Sequence, residues 1–131
     1  MYQLVIQFPQ DFFPSFDAMV EFEDKLHACM PKTCKVDGHD TGSGTINFFI
    51  YTMYPEAAHR TFRKYLGTRA VEQTLRIAYR ATDSDEFINL WPRRDPRPFK
   101  YMYDEAENPF ARGATRVIPK RKAPTPKAQK A

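Results

Sequence analysis

Apolar and polar residues alternate at the start of the chain. Across residues 2–8, Tyr2, Leu4, Ile6 and Phe8 share one face, and Gln3, Val5 and Gln7 share the other. A period of two predicts a half-buried strand, and Pro9 ends it. The period then changes. Phe16, Met19, Val20, Leu26 and Met30 recur at helical spacing among Glu21, Glu23, Asp24 and Lys25. Ser15 is placed to cap this helix, Asp17 sits in its first turn, and Pro31 closes it. An extended pattern resumes at 35–37. The run 38–44, GHDTGSG, is too glycine-rich for a helix and predicts the loop of a hairpin. Residues 45–52 carry strong β-formers, with Ile46, Phe48 and Ile50 on one face and Asn47, Phe49 and Tyr51 on the other.

Pro55 suits the first position of a second helix, whose stripe is Ala58, Phe62, Tyr65 and Leu66 and whose stop is Gly67. Residues 68–73 show no clear period. Leu75, Ile77 and Tyr79 alternate with Arg76, Ala78 and Arg80 as in a strand. A turn at 82–85 leads to a last strand at 87–91. The order β-α-β-β-α-β-β makes the fold class α+β. Its first six elements match the ferredoxin-like split βαβ arrangement, with both helices on one face of an antiparallel sheet. The seventh adds a C-terminal strand, and a basic, proline-rich tail follows.

Composition divides the chain near residue 92. Residues 1–91 hold 9 Lys/Arg against 12 Asp/Glu, whereas residues 92–131 hold 11 against 4. The net charge of +4 therefore resides in the C-terminal part, where seven of the eleven prolines also lie. The sequence thus reads as a domain over 1–92, an extended segment over 93–118 and a disordered basic tail over 119–131. The middle segment carries Phe99, Tyr101, Tyr103 and Phe110, which are sticky enough to dock on the protein's own surface or a partner's. The tail has no apolar residue larger than alanine and cannot offset its ordering entropy by burial. No apolar run approaches the roughly 20 residues of a membrane span. The N-terminus has no positive region or small-residue cleavage site, so no signal peptide and a cytoplasmic location are expected. Cys29 and Cys34 are too few for a disulfide framework and read as reduced thiols.

Candidate chemistry is sparse. His39 beside Asp40, with Ser43 nearby, offers acid–base groups or a metal-binding loop, but the ordinary reading is a hairpin loop of turn-formers. His27 and His59 fall within helices and read as helix residues. No Cys/His pair has metal-ligand spacing, so neither a metal nor a cofactor is expected. Phe49 and Tyr51 stand where an RNA-binding sheet would stack bases. The associated aromatic pattern is missing, however, and the body is net acidic, the wrong sign for phosphate. Lys120, Arg121, Lys122, Lys127 and Lys130 are candidate nucleic-acid contacts in the tail.

The runs VDGHDTGSG (36–44) and INFFIYTMYPE (46–56), with INLWP at 88–92, resemble a small bacterial family of hypothetical proteins. The resemblance spans residues 1–92. It implies the domain limits and a bacterial source, and it carries over no catalytic residue. The sequence favours a non-enzymatic protein-binding module, most concretely an immunity-type stoichiometric inhibitor of a bacterial toxin or enzyme. Phe49, Tyr51, Phe99, Tyr101, Tyr103 and Phe110 are its candidate contacts. A nucleic-acid- or ribosome-associated accessory protein using the tail is the alternative, and a small enzyme or metal protein using His39 and Asp40 comes third. Size and charge leave the oligomeric state open.

Overall fold

The computed structural model describes residues 1–42, 44–66, 74–101, 103–104 and 107–110. In chain order the elements are β1 (Tyr2–Pro9), α1 (Phe16–Cys29), β2 (Cys34–Gly42), β3 (Thr45–Thr52), α2 (Pro55–Leu66), β4 (Arg76–Ala81) and β5 (Ile88–Trp91). The fold is α+β, with one antiparallel sheet in the order β2-β3-β1-β4-β5. The expected Gly67 stop and residues 68–73 lie outside the described residues, as do Ser43 and the whole of 111–131 with Lys120, Arg121, Lys122, Lys127 and Lys130. Among the described residues, no helix is long and apolar enough to cross a membrane.

The alternation in the sequence fixes one face of the sheet. Leu4, Ile6, Phe8, Phe48, Ile50 and Ile77 pack with Met19 and Leu26 of α1 and with Ala58, Phe62 and Leu66 of α2. Phe8 anchors an aromatic cluster whose rings, Phe12, Phe13, Phe22 and Phe48, have centroids 4.6–6.1 Å from its own. Such offset and edge-to-face pairs add to the burial of their area. Helix α1 starts where expected, because Ser15 Oγ accepts a hydrogen bond from the Ala18 amide at 3.1 Å. That bond satisfies one of the helix's orphan donors.

The structure corrects the reading of residues 38–44 as a loop. Strand β2 continues to Gly42 and pairs with β3 from Val36 opposite Ile50 to Gly42 opposite Thr45. Glycine content misled because its cost is concentrated at single positions. Gly38 lies at a register shift next to Val36 with φ 117°, a conformation that side chains on L-residues disfavour. At Gly44, φ is 85° and a Cβ would collide with the Asn108 side-chain amide. The remaining residues of the run are free to extend. β2 is an edge strand, and its bulge and the charged Lys35 and Asp37 are features that blunt edges against unwanted pairing.

The second face of the sheet departs most from expectation. Its side chains were read as the polar side of a half-buried sheet, yet Gln3, Gln7, Asn47 and Arg76 are all buried. The chain after β5 folds back over them as a strap. Phe99 packs on Val5 and Ala78, and Phe49, Phe87 and Tyr101 complete this second apolar cluster. The described part of the extended segment therefore docks on the protein's own sheet.

Candidate functional site

Strap and sheet are joined by side chains that a strand of alternating pattern presents on its polar face. Gln7 Nε2 donates to Asn47 Oδ1 at 2.9 Å and to the Lys100 carbonyl at 2.7 Å, and Gln7 Oε1 accepts from the Tyr103 hydroxyl at 3.1 Å. Asn47 Nδ2 donates to the Tyr101 carbonyl and to Asp40 Oδ1, both at 3.0 Å. Tyr101 donates its hydroxyl to Gln3 Oε1, and Arg80 Nε bridges both groups. Arg76 is the charged member and is only 1% exposed. It donates to the carbonyls of Arg97 (2.9 Å) and Pro98 (3.2 Å) and to the Tyr103 hydroxyl (3.0 Å). Its Nε lies 3.4 Å from Asp95 Oδ2, and Arg97 Nη2 lies 2.6 Å from the same oxygen.

Burial pulls the Arg76 pKa down against the opposing influence of Tyr103 and Asp95. Burial also pushes Asp95 up, but hydrogen bonds from Arg97 and the charges of Arg76 and Arg97 outweigh it, leaving Asp95 below its ordinary value. Buried polar groups are costly unless paired, and this network pairs most of them; among the described residues Arg76 Nε makes no hydrogen bond and has only the charge of Asp95 nearby. One strand face carries Gln3, Gln7, Asn47, Arg76 and Arg80 around small apolar Val5 and Ala78, and an aromatic segment follows downstream.

The proposed partner contacts divide accordingly. Phe99 and Tyr103 belong to the strap and are buried on its inner side. Phe49 meets Tyr101 edge-on at 5.5 Å, and Tyr51 accepts a hydrogen bond from Gln3 Nε2 at 3.1 Å. Phe110 lines an open cleft of about 540 Å³ with Pro9, Gln10, Asp11, Gly44 and Asn108.

His39 and Asp40 are adjacent in sequence but occupy opposite faces, as strand neighbours must. His39 Nδ1 lies 3.0 Å from Glu23 Oε1 on α1, while Asp40 accepts from Asn47 beside the strap. The two therefore do not form one site. Among the described residues, no group of three or more His, Cys, Asp or Glu could hold a metal ion. Cys29 and Cys34 are free thiols, and burial pushes the Cys29 thiol up.

Among the described residues, two outward-facing surfaces combine grouped chemistry with exposure. The first is the sheet end where Tyr2 lies opposite both Thr52 and Ala81. Met1, Met53, Tyr54 (59% exposed) and, at the start of β5, Ile88 (51% exposed) lie toward this end of the sheet. Glu56, Asp83, Asp85 and Glu86 stand around them in the adjoining helix start and β4–β5 turn. The second is the flank of α2. There Arg63 Cζ sits 3.6 Å over the Trp91 ring, and Arg60 and Lys64 are exposed. His59 lies among them with its Nε2 buried and without a hydrogen-bond partner. Burial, then the charges of Arg63, Arg60 and Arg93, lower its pKa to about 4.

No protein-family model, curated protein or solved structure matches this chain.

Proposed function

We propose that the chain is a non-enzymatic protein-binding module, most concretely an immunity-type stoichiometric inhibitor acting in the bacterial cytoplasm. The apolar rim of Met1, Met53, Tyr54 and Ile88 carries this reading. Large apolar side chains grouped at one end of a small domain, bordered by polar residues, mark a protein-contact surface. The acidic border selects a partner with a basic face, because complementary charge steers encounter and fixes register. Tyr54 supplies the kind of aromatic anchor that dominates interface energies. The fold reading behind this proposal is the ferredoxin-like split βαβ with β5 added, supported by the order β2-β3-β1-β4 within the sheet.

The test is affinity capture with mass spectrometry, comparing the parent with Tyr54→Asp/Ile88→Asp and with a control, Phe16→Asp, on exposed α1. The expected result is a stoichiometric partner that the rim variant loses and the control keeps. Equal capture by all three would remove the rim from the account.

A further inference from the structure

The flank of α2 is chemically unlike the rim and calls for a different ligand. Arg60, Arg63 and Lys64 lie on one helix, and Arg93 follows β5 close enough to influence the same histidine, His59. Among the described residues, no ion pair joins Arg60, Lys64 or Arg93 to a carboxylate. Arg63 is held in place by stacking on Trp91. Arg60, Lys64 and Arg93 thus stand near the stacked Arg63, and among the described residues the buried His59 Nε2 beside them has no hydrogen-bond partner.

We infer that Arg60, Arg63, Lys64 and Arg93 form a binding surface for the phosphodiester backbone of single-stranded nucleic acid. Phosphate suits clustered guanidinium groups, which present forked donors to its oxygens. A polymer is indicated because the cationic character continues along the same chain. Residues 111–131 carry seven Lys/Arg and no acid. The chain also leaves its last described residues beside Arg97, whose Nη1 donates to the Pro109 carbonyl, four residues beyond Arg93. A segment whose charged residues are all cationic and whose only apolar residues larger than alanine are Val117 and Ile118 suits a uniform polyanion better than a protein hot spot. The site is separate from the apolar rim, and either can fail without the other.

The experiment uses the full chain and a labelled single-stranded RNA of about 16 nucleotides, a length in the range that single-strand grooves track. Binding is read by fluorescence anisotropy across a salt series. Arg60→Glu/Lys64→Glu/Arg93→Glu changes exposed side chains only, and Arg60→Gln/Lys64→Gln/Arg93→Gln provides a milder companion. The Glu variant is expected to weaken binding about tenfold or more and to flatten the log–log salt slope by about 2. A second reading comes from the His59 ring nitrogens at about pH 5, where the free protein holds this imidazole mostly neutral. Bound phosphate offsets the surrounding cations, so RNA is expected to raise its protonated fraction. Unchanged affinity in both variants, an unaltered His59 signal in the bound state, or affinity for anionic lipid vesicles without affinity for RNA would each overturn the inference.

Discussion

Arg76→Met is the sharpest test of how the strap is held. The substitution keeps the aliphatic stem and removes the guanidinium. Four hydrogen bonds to described residues go with it, to the Arg97 and Pro98 carbonyls, the Tyr103 hydroxyl and, at 3.5 Å, Asn89 Oδ1, along with the approach to Asp95. Breaking a buried ion pair by removing one partner costs about 3–5 kcal/mol. Two effects push toward the lower end. Asp95 keeps Arg97 at 2.6 Å, and the burial cost of a guanidinium 1% exposed disappears. The net expectation is a loss of about 3 kcal/mol, read as a lower urea midpoint at unchanged slope. Combining it with Tyr103→Phe should cost less than the sum, since both remove one shared hydrogen bond. A loss below about 1 kcal/mol, the worth of a single ordinary hydrogen bond, would refute the idea that Arg76 anchors the strap.

Phe48→Ala should cost about 3–5 kcal/mol in urea melts, and Asn47→Ala about 1–3 kcal/mol, because the latter leaves Gln7, Asp40 and the Tyr101 carbonyl short of a partner. A chain ended at Pro98 should be markedly less stable by the same melts, since it loses Phe99, Tyr101 and Tyr103. One ended at Ile118 should melt like the parent. Stability should fall with acid in two stages. His59 is held below its ordinary value, so its contribution is complete above about pH 6.5 and is lost as pH falls toward 4. Asp95 is also held low, so its contribution is present above the ordinary carboxylate value and is lost as pH drops through its depressed one. His59→Gln should flatten the first stage in pH-dependent melts while leaving the second.

The helix-facing half of the molecule was legible because each strand there buries a continuous apolar set against two helices of ordinary length. Ile46, Phe48 and Ile50 declare that face by periodicity alone. The strap face was not legible in the same way. Gln3, Gln7, Asn47 and Arg76 look like solvent residues until the segment that satisfies them, nearly 100 positions away in the case of Gln3 and Tyr101, is brought back. Hydrogen-bonded burial leaves no periodic trace. His39 and Asp40 were grouped by adjacency, which a strand turns into separation. The rim was invisible for a related reason. Met1, Met53, Tyr54 and Ile88 are brought to one end of the sheet only by the registers of β1, β3, β4 and β5.

Recognition at the sheet end and the α2 flank depends on the strap closing the second face. The most direct measurement is a nuclear Overhauser spectrum of the full chain with labelled aromatics. Ring contacts are predicted between Phe49 and Tyr101, whose centroids are 5.5 Å apart, and between Phe87 and Phe99 at 4.9 Å. The Gln7 side-chain amide should exchange slowly beneath Lys100. Absent ring contacts together with rapid exchange of that amide would contradict the account and return the sheet face to partners.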